Sequence, residues 1–202
     1  MRVVILTLST LLAMVSALAG CGQKEAAPAA QDTPSTTASD QPATTPPPSN
    51  AGAAATQHRV DLMPGQGGDV AGALDLVASD GAVVMTGLVS GLKPGSHHGF
   101  HIHEKGDCSS PDFKSAGDHF NPTSQPHGDP ATPPHHLGDI PNLEADDMGK
   151  APVNARIEGV TLGDGGPNDL VGRAVVVHDE ADDYKTQPSG NSGDRIACGV
   201  IR

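Results

Sequence analysis

Between His58 and Arg202 the apolar positions fall into short segments bounded by Gly, Pro, Asp and Asn: Val70–Val77, Ala82–Val89, Phe100–His103, Val153–Val160, Arg173–His178 and Ile196–Ile201. Val153, Ala155 and Ile157 alternate with Asn154, Arg156 and Glu158, the period of two that gives a strand one apolar face. A similar alternation begins at Leu74 and Asp75, whereas Ala174–Val177 is an unbroken small or β-branched run, the pattern of a buried strand. Nothing between Arg59 and Arg202 offers a sustained helical stripe with caps. The pattern predicts an all-β domain, an antiparallel β-sandwich or barrel. Two stretches, Glu104 to Ala151 and Asp179 to Asp194, are too long for hairpin turns, and loops of that length are usually functional or disordered.

The chain ahead of this domain reads differently. Arg2 precedes an apolar run from Val3 to Leu18, interrupted only by Thr and Ser, which ends at Leu18-Ala19-Gly20-Cys21. The run is short for a membrane span. Residues 1–21 resemble a bacterial lipoprotein signal, cut before Cys21 so that its thiol is lipidated; an ordinary secretory signal is the alternative, and either implies export. Residues 22–57 contain ten Ala, nine Ser/Thr and six Pro but no Val, Ile, Leu, Met, Phe, Tyr or Trp. Such a segment cannot bury enough apolar surface to offset the entropy of ordering, so a disordered linker is expected there. The domain then occupies residues 58–202, and a lipid at Cys21 would hold it at a periplasmic or cell-envelope membrane.

Composition narrows the chemistry. Lys+Arg number 12 against 24 Asp+Glu in the 202 residues, a formal charge of −12, which argues against a nucleic-acid partner. Of the ten histidines, eight lie between His97 and His136. His101 and His103 are two residues apart, so on a strand both rings share one face. His119, His127, His136 and Asp139 follow among Gly and Pro residues, and His178 closes the Val175–Val177 run. Imidazole suits zinc, copper, iron and nickel, and a carboxylate can complete a zinc site. Six candidate nitrogens exceed what one tetrahedral ion needs, so two metals are the simpler reading. A metal-free His-rich loop is the alternative. If Cys21 is lipidated, Cys108 and Cys198 are left as a pair, with two buried thiols as the alternative to a disulfide.

Gly99-Phe100-His101-Ile102-His103-Glu104-Lys105-Gly106-Asp107-Cys108 resembles the first signature of the copper/zinc superoxide dismutases, and Gly190-Asn191-Ser192-Gly193-Asp194-Arg195-Ile196-Ala197-Cys198-Gly199-Val200-Ile201 resembles the second. His119-Phe120-Asn121-Pro122, His127-Gly128, His136-Leu137-Gly138-Asp139 and His178 through Asp183 match in order between them. The resemblance covers residues 58–202. It implies a Greek-key antiparallel sandwich or barrel of about eight strands with long metal-binding and active-site loops. It implies copper at His101, His103, His119 and His178, and zinc at His119, His127, His136 and Asp139, with His119 shared. Asp182 would join His101 to His127, Arg195 would receive the anionic substrate beside the catalytic His119, and Cys108–Cys198 would be the disulfide. His98 would be a structural core residue, with His97 and His135 exposed.

The activity implied is dismutation of superoxide to dioxygen and hydrogen peroxide. A non-enzymatic periplasmic copper/zinc buffer on the same fold is the alternative; a zinc hydrolase would need an open coordination position, which this donor set closes. Steering of the anion is poorly provided for, because Asp179, Glu180, Asp182, Asp183 and Asp194 face only Lys185 in the last long loop. Lys105 and Lys114, flanking the disulfide loop, are possible steering charges, but solvated surface lysines are the simpler reading. Whether the protein is a homodimer is left open.

Overall fold

The alternation in Lys150–Glu158 becomes a strand whose residues are exposed and buried in strict turn, Ala151, Val153, Ala155 and Ile157 facing the core. The computed structural model describes residues 57–202, so the leader, Cys21 and all of the expected linker except Gln57 lie outside the described residues. The strands are β1 (Gln57–Pro64), β2 (Ala71–Ser79), β3 (Ala82–Ser90), β4 (His97–His98), β5 (Phe100–His103), β6 (Leu143–Glu144), β7 (Lys150–Glu158), β8 (Ala174–His178) and β9 (Arg195–Val200). The helical content among the described residues is one 3-10 turn, Lys114–Ala116.

Seven strands form one antiparallel sheet in the order β5-β8-β9-β1-β2-β3-β7, and β4 pairs with β6. From β3 the chain crosses to β5 at the far edge, returns to β7 beside β3, and crosses again to β8. These long crossings make the topology Greek-key. The sheet curls so that β6 packs on β7 while β4 leads directly into β5. A continuous core of Val60, Leu74, Leu76, Met85, Phe100, Ile102 and Val175 among others fills the interior.

The described residues hold nine strands, two of them only two residues long, against the expectation of about eight. β1 was not among the apolar segments because only Val60 and Leu62 of its eight residues are buried. β7 begins at Lys150, three residues before the apolar alternation.

What positions the site is the two-sidedness of β5 and β8. Phe100 and Ile102 point into the main core, so His101 and His103 emerge on the opposite face. On β8, Val175 and Val177 join that core, whereas Ala174 and Val176 join a second cluster with Phe113, Ala116 and Cys198. His101 pairs with Val176 and His103 with Ala174, so the two rings share the face of this second cluster. The long loop after β5 covers that face, which is why every residue of β8 is buried.

Candidate metal centre

His178 and Arg195 reach the same face through an irregularity. Val177 pairs with Ala197 but His178 with Arg195, so Ile196 is an extra residue. Ile196 packs on the main core together with Ala197, and the bulge turns Arg195 outward beside His178. The loop after β5 supplies the remaining donors. It folds along the free edge of β5, with Ile102 N–H donating to the Gly138 carbonyl, Phe120 N–H to that of Ile102, and Gly138 N–H to that of Phe120, each at 2.8 Å. His119 and Asp139 thereby stand opposite His103 and His101.

Two four-residue groups result, each with donor atoms within 4.8 Å of one another: His101, His103, His119 and His178, and His119, His127, His136 and Asp139. All seven residues are buried, and His119 belongs to both groups. In the second group Asp139 Oδ1 lies 2.9 Å from His119 Nδ1, 3.0 Å from His127 Nδ1 and 3.3 Å from His136 Nδ1. Asp139 Oδ2 accepts the backbone N–H groups of Gly128 and His136, which fixes the carboxylate.

The first group is organised by what occupies the other nitrogen of each ring. His103 Nδ1–H donates to the Gly117 carbonyl at 2.9 Å and His178 Nδ1–H to that of Gly193 at 3.3 Å. The Nε2 atoms of these two rings then face each other at 3.4 Å. His101 Nε2–H donates to Asp182 Oδ2 at 2.8 Å, and His119 Nδ1 is turned to Asp139. His101 Nδ1 and His119 Nε2 are left buried without a hydrogen-bond partner.

Burial, foremost, keeps these rings neutral: His101 is lowered, His103 lies well below its usual range, His119 falls to about 4 and His178 to about 2. Neutral rings with their N–H groups already donated present converging lone pairs, an arrangement that costs free energy unless a cation sits among them. The all-nitrogen donor set of the first group fits copper, and the three nitrogens and one carboxylate of the second fit zinc.

Asp182 ties the two groups together. Its Oδ2 accepts from His101 and its Oδ1 from His127 Nε2 at 3.0 Å. Burial works against a charge on His127, but hydrogen bonds to Asp139 and Asp182 outweigh it and raise the ring to about 9. Asp139 and Asp182 are likewise held ionised against burial, both well below the usual carboxylate range, by hydrogen bonds from the imidazoles. Gly190 has φ +64°, and a Cβ there would collide with Asp182 Oδ1, so glycine is required where the loop passes the carboxylate.

Three contributors were invisible to pattern reading. Asn142 exchanges two 2.9 Å bonds with the Asp182 peptide, Nδ2–H to its carbonyl and Oδ1 from its N–H. The Asn142 N–H donates to the Tyr184 hydroxyl at 2.8 Å, and the Gln187 amide bonds both backbone groups of His127. His98 is buried, donating Nδ1–H to the His178 carbonyl, and His97 is exposed. His135 is half-buried, not exposed as expected, because its Nδ1–H donates to the His136 carbonyl at 2.7 Å.

A cleft lined by His103, His119, His178, Gly117, Ser189 and Arg195 opens onto the first group. Arg195 donates Nη1–H to the Phe113 carbonyl and Nη2–H to that of Gly117, both at 2.7 Å. Its charge helps depress His103 and His178, after burial. Cys108 and Cys198 form a disulfide between the loop and β9, and Cys198 is fully buried. Such a bridge is at home in an oxidising, extracytoplasmic compartment.

The family model for copper/zinc superoxide dismutase matches residues 70–201. The chain is 45% identical over 140 residues to a superoxide dismutase of the copper–zinc type from Aquifex aeolicus, covering 67% of this chain and 81% of that one. It is 39% identical over 197 residues to a superoxide dismutase-like protein of Bacillus subtilis, covering 95% and 94% respectively. The crystal structure of a superoxide dismutase-like protein from Bacillus subtilis superposes with a TM-score of 0.65 at 40% identity, covering 71% of this chain and 97% of the other. With this fold, this disulfide and two buried donor groups sharing one histidine, the chain belongs to the copper/zinc superoxide dismutase family.

Proposed function

We propose that this chain dismutates superoxide, consuming two superoxide anions and two protons to give dioxygen and hydrogen peroxide. The observation that carries the reading is that the all-histidine group opens to a cleft beside the guanidinium of Arg195. His101, His103, His119 and His178 would hold copper, and His119, His127, His136 and Asp139 would hold zinc. Copper, when bound, supplies reversible one-electron transfer, which amino-acid side chains do not readily offer, and zinc supplies a fixed charge without redox chemistry. Arg195, pinned through two carbonyls, presents its remaining N–H groups and its charge to an anion in the cleft. His119, whose Nδ1 is turned toward Asp139, has Nε2 as the atom able to carry a proton at the cleft side. Asp182 holds His101 and His127 in one tautomer and orientation.

The leader ending at Cys21 and the apolar-free stretch 22–57 support a lipid-anchored, tethered domain facing superoxide in the periplasm or cell envelope. A second reading, metal binding without turnover, has support from the Bacillus subtilis relative being named only superoxide dismutase-like. Purified protein should contain copper and zinc at one each per chain and dismutate superoxide, with the activity lost on copper chelation and restored by copper. Metal uptake without turnover would leave the carrier reading standing instead.

A further inference from the structure

His127 sits in an irregular stretch, preceded by the exposed residues Pro122 to Pro126. Among the described residues, its own N–H and carbonyl take part in no backbone–backbone hydrogen bond. Both are taken by one side chain 60 positions away: the His127 N–H donates to Gln187 Oε1 at 2.9 Å, and Gln187 Nε2–H donates to the His127 carbonyl at 2.8 Å. A carboxamide carries the same donor–acceptor pair as a peptide group, so two bonds to one residue fix rotation as well as position. The same loop also takes the His127 ring, through Asp182 Oδ1. On the other flank, Gly128 N–H donates to Asp139 Oδ2.

We propose that Gln187 is a positioning residue for the three-histidine, one-carboxylate group, setting where His127 Nδ1 stands relative to Asp139, His119 and His136. The proposal rests on the zinc reading of that group given above. Gln187 itself touches no donor atom of the group; it acts through the main chain of His127, whose ring reaches Asp139 at one nitrogen and Asp182 at the other. Without it, the His127 peptide is held only through its neighbour Gly128 and its ring. The Asp179–Asp194 loop would thus contribute to zinc affinity while offering no ligand to zinc, and by linkage bound zinc would order that loop.

Zinc affinity of the full chain, measured by competition with a chromogenic chelator, tests this. Gln187→Ala and the similarly sized Gln187→Met should each bind zinc about tenfold more weakly, the scale of losing a partner that orients a ligand. Thr186→Val is the control. It removes the Thr186–Asp183 side-chain bond in the same loop but leaves the Gln187 contacts, and it should bind zinc as the unaltered protein does. If Gln187→Ala fails to fold, Gln187→Met carries the comparison. Unaltered affinity in Gln187→Met overturns the proposal, as does an equal loss in Thr186→Val, which would trace the effect to general loosening of the loop. Should the unaltered chain itself take up no zinc, the metal-centre reading falls and this inference with it; normal uptake with indifferent Gln187 variants sinks only the role of Gln187.

Discussion

Arg195 illustrates how single side chains are set in this domain. Its two carbonyl bonds use part of a rigid five-donor fork while the residue lines the cleft, so position and charge are fixed together. Arg195→Ala should lower the superoxide rate roughly ten- to a hundredfold, the scale of losing a close-range hydrogen bond to a charged group. Copper and zinc content, read by elemental analysis, should stay unchanged because Arg195 donates to neither metal group. An unaltered rate would remove Arg195 from the reaction. The residues that gather in the two groups were legible in the sequence because His-x-His and the later His and Asp residues are motif positions. Asn142, Tyr184 and Gln187 were not. Their bonds join side chains to peptides 40 to 60 residues away, and such pairings leave no period in the chain.

Among the elements, the central strands were legible for the same reason that they work: alternation in β7 and a doubly covered run in β8 are direct imprints of burial. β1 escaped because two buried side chains in eight residues make too weak a signal, and the bulge at Ile196 escaped because it depends on pairing with β8. The disulfide joins β9 to the loop whose Phe113 and Gly117 carbonyls receive Arg195. It closes a loop with a sequence separation of 90, worth about 4–5 kcal/mol in the chain-entropy account. The metal-free double variant Cys108→Ser/Cys198→Ser should therefore melt about 10–20 °C lower in calorimetry, given a few degrees per kcal/mol for a domain of this size. A shift of only a degree or two would mean that packing of Phe113 and Ala116 on β8 holds the loop unaided.

The molecule as a whole is acidic. Setting aside Arg2, Lys24, Glu25, Asp32 and Asp40 leaves 10 Lys+Arg against 21 Asp+Glu in residues 58–202, an excess of 11 negative charges. The two possible steering lysines are already paired, Lys114 with Asp112 at 3.0 Å and Lys105 with Glu104 at 3.4 Å, all on exposed side chains. Long-range attraction of an anion is then weak, and Arg195 acts chiefly at close range. Raising ionic strength from about 10 to 150 mM, which shortens the screening length from roughly 30 to 8 Å, should leave the superoxide rate flat or slightly higher. A steep fall in stopped-flow measurements would reveal a steering array elsewhere on the surface.

The placement of β5 carries a last consequence. Because Phe100 and Ile102 fill the interior while His101 and His103 serve the opposite face, slipping the whole of β5 by one residue against β8 would exchange the two sets, sending imidazoles into oil and an aromatic ring to the histidine face. These four positions are locked in phase, and a slip there forfeits chemistry and folding in one event.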